Sequence, residues 1–98
     1  MVKVPEMLFN PGAVNMTPGV MGLIEGEKLE FADVISFLAR HLSGDWGEIC
    51  AEDAEANEGA VADGGQLMSV YTSASGTTYW VITESDRTIT TFLLPDDY

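Results

Sequence analysis

Between Asp45 and Asp63 the chain sets seven carboxylates, Asp45, Glu48, Glu52, Asp53, Glu55, Glu58 and Asp63, in a run without Lys or Arg. The sole His, His41, lies just before this run, and the sole Cys, Cys50, and Trp46 lie inside it. Metal ligation needs several His, Cys and carboxylate groups at ligand spacing. One His and one Cys on different segments, with no D-x-D-x-D-G loop for calcium, do not provide that, so no metal and no cofactor is expected. A cysteine nucleophile with a histidine base is disfavoured as well. Cys50 falls on the apolar side of a helical pattern with Ala54 and Val61, and buried thiols are inert. Acid–base chemistry by Asp53 with His41, Glu84 or Asp86 would require a cleft that the sequence does not mark. Gly44-Asp45-Trp46-Gly47 lacks the preceding strand and the lysine of a phosphate loop. No catalytic residue is therefore assigned, and the chain is not expected to be an enzyme.

Interaction remains. Sixteen acidic residues against four Lys and Arg give a formal net charge of −12. The four basic residues are Lys3, Lys28, Arg40 and Arg87. They cannot build the basic face that direct nucleic-acid binding requires, and an anionic membrane surface would repel the chain. A protein partner with a basic, nucleic-acid-binding surface would attract it; alternatively the acids serve solubility alone. On a helix, acids three and four residues apart lie about 5–6 Å from one another, so Glu48, Glu52, Glu55 and Glu58 would form a line of negative charge like that of duplex DNA. The expected partner-binding set is Asp45, Trp46, Glu48, Glu52, Glu55 and Glu58. Trp46 has two open roles: a lid folded back on the core, or an exposed aromatic anchor within an acidic rim. Asp53 and Asn57, one turn apart and turned inward, are expected to act as a structural hydrogen-bonding pair that stitches this helix to the loop before it or to the sheet.

The elements that must position these residues are legible in outline. Residues 7–19 read as a short strand or extended arm with a turn at Asn10-Pro11-Gly12. Thr17-Pro18 reads as an N-cap followed by proline at the first helical position, opening a short helix with Met16, Val20, Leu23 and Ile24 inward. Residues 25–29 form a polar connector. Phe31, Val34, Ile35, Leu38 and Leu42 then make the stripe of an amphipathic helix that stops at Gly44. Arg40 lies opposite that stripe. His41 lies at its edge in the last turn, where the helix dipole would favour the protonated ring. Asp45 is expected to cap a further helix with Glu48 in capping-box position, continuing to Gly59 and ended by the glycines at 59, 64 and 65. From Gln66 onward three β-rich runs, separated by turn signals at Ser75-Gly76 and Ser85-Asp86, predict antiparallel strands. Pro95 stops the last of them.

The totals fit these elements into one domain of 98 residues. One cysteine excludes an internal disulfide, the N-terminus has no apolar signal-peptide run, and no stretch is long enough to span a bilayer. The expected class is α+β: two to three helices on one face of a C-terminal three-stranded antiparallel meander, with room for a short N-terminal strand. The expected location is cytoplasmic.

Three blocks, L-A-R-H-L-S-G-D-W-G-E, E-D-A-E-A-N and W-V-I-T-E-S-D-R-T-I-T-T-F-L-L-P-D-D-Y, resemble a family of small proteins encoded on bacterial plasmids, integrative conjugative elements and phage-derived islands. The resemblance spans the last two-thirds of the chain. His41, Asp45, Trp46, Asp53, Asn57, Glu84, Asp86 and Arg87 carry over, with no catalytic role attached. Some members bear a label suggesting a type I restriction methylase subunit. This chain has no glycine-rich cofactor loop and no room for a methylase domain, which argues against that activity. The resemblance implies the company of mobile elements whose cargo counters host defence, and hence an inhibitor of a CRISPR effector or restriction enzyme. The alternatives are a non-inhibitory structural or homodimeric accessory module of such an element, the dimer pairing through the second sheet face, and a small hydrolase or transferase using Asp53 and His41.

Overall fold

The computed structural model describes residues 7–25 and 28–98. The reading of the first six residues and the centre of the polar connector fall outside that range. In chain order the elements are β1 (Ala13–Met16), α1 (Pro18–Glu25), α2 (Lys28–Leu42), α3 (Ala51–Asp63), β2 (Leu67–Thr72), β3 (Thr78–Thr83) and β4 (Ile89–Leu93), ending in a 3-10 turn at Pro95–Asp97. Among the described residues the class is α+β, with three helices and a four-stranded sheet. The sheet is mixed, in the order β1-β4-β3-β2. The expected three-stranded antiparallel sheet is widened because β1 runs parallel to β4, pairing Val14 with Thr90 and Met16 with Phe92.

One face of the sheet carries the core. Tyr71, Tyr79, Val81 and Phe92 meet Val20 of α1 and Val34 and Phe37 of α2. Phe37 lies flat against Tyr71, with ring centroids 4.8 Å apart. Burying a side chain of this size contributes about 1.5–3 kcal/mol. The buried side of α2 is not the expected stripe. Val34, Phe37 and His41 are buried with Leu38 beside them, whereas Phe31 and Ile35 are about half exposed. The spacing i, i+3, i+4, i+7 is kept, but its phase is rotated, because the sheet offers His41 polar partners that the apolar pattern could not register.

β2 lies at the edge of the sheet, and an open edge invites unwanted pairing. Two pieces of chain close it. At Met68, the Asn57 side chain donates from Nδ2 to the carbonyl oxygen at 2.7 Å and accepts the backbone N–H at Oδ1 at 3.2 Å. At Val70, the N–H donates to the Trp46 carbonyl (3.2 Å) and the carbonyl accepts from Glu48 N–H (2.7 Å), so Gly47 makes a parallel bridge. The far end of α3 is tied to the sheet by Arg87. Its guanidinium donates to the carbonyls of Gly65 (2.6 Å) and Ala60 (2.9 Å) as well as to Glu84 in its own turn (3.1 Å). A cation beside those terminal carbonyls also complements the negative end of the helix dipole.

Gly47 is the constraint in this edge. Its φ is +74°, and a Cβ there would lie 2.0 Å from the Val70 carbonyl oxygen and 2.7 Å from the Tyr71 ring. Gly59, in the middle of α3, has open space around its missing Cβ. Chemical denaturation should therefore separate the two by sign. Gly47→Ala is expected to lose more than about 2 kcal/mol through strain and edge displacement. Gly59→Ala is expected to gain about 0.5–1 kcal/mol from helix propensity.

Candidate functional site

The acidic stretch begins with a turn, not with a helix. Residues 45–50 are irregular, α3 starts only at Ala51, and its N-cap position is Cys50, which makes no side-chain cap. The expected capping box of Asp45 and Glu48 does not form. The main chain of 46–48 is committed to the β2 edge, and buried backbone pairing outweighs a local cap. Asp45 turns back instead. Its Oδ2 accepts from Arg40 Nε at 2.8 Å and its Oδ1 from Gly47 N–H at 3.2 Å. The Arg40 hydrogen bond holds the Asp45 carboxyl below its ordinary range. The pair lies at the surface, so it contributes little to stability. Arg40 also sits 4.6 Å above the Tyr71 ring, and the Tyr71 hydroxyl donates to the Asp45 carbonyl at 2.5 Å. Burial pushes that phenol up to about 12, so it remains a donor at physiological pH.

Trp46 is 5% exposed. It stacks on Phe9 with centroids 6.3 Å apart and meets the edge of His41 at 5.7 Å. Its Nε1–H donates to Glu58 Oε1 at 3.0 Å. Of its two roles it takes the lid, and its indole offers no exposed anchor. Glu58 is thereby drawn toward Trp46 and out of the expected line of free glutamates. Glu48 lies before α3, so it too is off the helical row. Glu52 and Glu55 remain as exposed acids on the helix, with Asp53 and Asp63 near them.

His41 is the residue whose environment departs furthest from expectation. It is completely buried. Its Nδ1 lies 2.5 Å from Ser69 Oγ and its Nε2 lies 2.9 Å from Thr83 Oγ1. The chain of hydroxyls beyond fixes its tautomer. Thr90 Oγ1 donates to the Pro11 carbonyl at 2.7 Å, and a carbonyl can only accept. Thr83, 2.7 Å from Thr90, must then donate to Thr90. Thr83 has no second proton, so His41 Nε2 carries the hydrogen and Nδ1 accepts from Ser69. The neutral ring is thus built into the core, and it ties α2 to β2, β3, β4 and the N-terminal arm. Burial, reinforced by the charge of Arg87, lowers its pKa to about 4. The helix dipole, which would favour the protonated ring, loses to desolvation.

Of Asp53 and Asn57, Asn57 ties the helix to the sheet as expected, and Asp53 does not share that role. Asn57 is buried and spends its amide on Met68, whereas Asp53 is exposed. Cys50, expected on the apolar face, is exposed. Between α3 and the outer face of β2 lies an open groove of about 240 Å³, lined by Ile49, Asp53, Ala56, Asn57, Met68 and Val70. His41 does not line it, so Asp53 and His41 share no cleft. Among the described residues no group of three or more His, Cys, Asp and Glu could hold a metal ion, and no helix is long and apolar enough to cross a membrane. Sequence reasoning missed the groove entirely. The signal available was the alanine content of α3, which leaves that helix too small to fill the space beside Met68 and Val70.

The lowered His41 pKa sets a stability window. Because the folded value, about 4, lies below the ordinary 6.5, protonation favours the unfolded chain. Its stabilisation is complete above pH 6.5, is lost as pH falls toward 4, and amounts to about 3 kcal/mol. The carboxyl of Asp45, held low by Arg40, adds its loss only below 3.8. An NMR titration of the single imidazole should find it neutral at pH 5, and denaturation between pH 7 and 4 should show the decline. In His41→Gln that decline should flatten. No protein-family model, curated protein or solved structure matches the chain.

Proposed function

We propose that this protein acts by binding another protein, and that it inhibits a defence nuclease complex, a CRISPR effector or restriction enzyme, by occupying a basic surface meant for nucleic acid. The observation that carries this reading is the distribution of charge. Among the described residues, Arg40 pairs with Asp45 and Arg87 with backbone carbonyls, so neither cation forms an ion pair with Glu52, Asp53, Glu55 or Asp63. A Lys/Arg-lined channel meeting that surface would release the counterions that DNA otherwise displaces. The resemblance to mobile-element proteins favours a defence complex as the target. The mechanism is steric and electrostatic, with no bond made or broken.

A second reading, a homodimeric accessory module, draws on the half-exposed Phe31 and Ile35, which lie one turn apart on α2. The charge of −12 on each copy opposes such a pairing. Light scattering decides between the two readings, since the inhibitor reading expects a monomer in the absence of its target.

The direct test is binding to purified effector and restriction complexes across a salt series. At least one complex should bind at low salt and weaken steeply as salt rises. Failure to bind any of them at low salt would refute the proposal. Glu52→Gln with Glu55→Gln should weaken the complex by about three- to tenfold without lowering the melting temperature. Glu58 is kept intact in this experiment, because its replacement would also disturb the Trp46 lid.

A further inference from the structure

The groove beside α3 differs from the acidic surface around it in being concave and mostly apolar. Ile49, Ala56, Met68 and Val70 form its walls together with Asn57, and Asp53 is the one acidic residue that lines it. Its origin lies in the composition of α3. Asn57 pins the helix to the β2 edge, while the neighbouring Ala56 is too short to reach Met68 and Val70, leaving the outer sheet face uncovered at that point. At about 240 Å³ the groove is smaller than the roughly 300–1,000 Å³ that encloses a drug-sized ligand. A single long side chain suits that space better. A peptide strand could not add to the sheet here, because the backbone groups of Met68 and Val70 are already bonded to Asn57, Trp46 and Glu48.

We infer that this groove receives one arginine side chain from the basic partner, with its methylene stem against Ile49, Ala56, Met68 and Val70 and its guanidinium on the Asp53 carboxylate. The inference rests on the reading of the protein as a binder of basic surfaces and adds the point at which that surface is read specifically. Charge complementarity selects a cation. Among the described residues the Asp53 carboxylate makes no hydrogen bond or ion pair, and Glu52, one turn before Ala56, adds negative charge on the same side. Guanidinium is favoured over ammonium for two reasons. Its planar fork can engage both carboxylate oxygens, and it is the more weakly hydrated cation, better suited to apolar walls. The groove thus gives a preference among cations that the exposed glutamates alone would not.

The test uses the full chain and a glycine-based peptide with arginine at every third position, together with its citrulline and lysine counterparts. In an NMR titration at low salt, the arginine peptide should shift the amides of Ile49, Asp53, Ala56, Met68 and Val70 more than those of Glu55 and Asp63. The lysine peptide should bind more weakly, and the citrulline peptide should not bind. Asp53→Asn should weaken binding by about three- to fivefold. Ala56→Leu, at an exposed helical position and with no change in charge, should weaken it by about tenfold by filling the groove. Unchanged affinity in Ala56→Leu, equal affinity for lysine, or shifts spread evenly along α3 would each overturn the inference while leaving the basic-partner reading intact. Absence of binding by either cationic peptide would overturn both.

Discussion

The free edge of β2 is the constraint on which the arrangement of this molecule depends. A strand with unpaired N–H and C=O groups must be covered or left open to association. Here the cover comes from the stretch of chain just before it, through the backbone of Trp46 and Glu48 and the side chain of Asn57. That choice has consequences in three directions. It prevents residues 45–50 from being helical, it requires glycine at position 47, and it fixes one face of α3 against the sheet. The acids of α3 are displayed outward because Asn57 is held inward.

A second constraint joins the two sides of the same segment. Trp46 closes over His41 and Phe9, and its indole N–H is satisfied by Glu58 of α3. His41 in turn links through Ser69 and Thr83 to Thr90 and the Pro11 carbonyl. Every polar atom along this path has a partner, which is what makes a buried histidine tolerable in a core of this size. Arg87 plays a comparable role at the far end of α3, where the carbonyls of Ala60 and Gly65 accept from its guanidinium. Among the described residues, Arg87 is thus committed to backbone carbonyls and Arg40 to Asp45, and the outer carboxylates of α3 have no ion-pair partner.

Much of the element order could be read from the residues. Thr17-Pro18 opens α1, Gly44 follows α2, and β2, β3 and β4 begin and end near the expected turn signals, because these features depend on local backbone chemistry. The errors cluster where a local rule met a distant partner. Asp45 has the right spacing to cap a helix, but Arg40 and the β2 edge claim its segment. Phe31 and Ile35 are apolar at helical spacing, but the inward face of α2 is chosen by what the sheet presents, and it presents hydroxyls for His41. Cys50 falls on the apolar side of a helix begun at Asp45, but α3 begins at Ala51 and leaves Cys50 as its solvent-exposed N-cap.

For the candidate site, the sequence by itself determined the quantity and sign of charge. Seven carboxylates with no intervening Lys or Arg make an acidic surface under any fold that exposes them, because charged side chains without partners stay in water. Only the tertiary structure decided which of those acids are free, that Trp46 is a lid, that Asp53 and Asn57 have separate roles, and that a groove opens between α3 and β2. Each of these depends on a contact between residues well separated along the chain, such as Trp46 with Glu58 or Asn57 with Met68. Periodicity and propensity are properties of neighbours in sequence; they carry no information about which distant group will satisfy a buried N–H or leave a space unfilled.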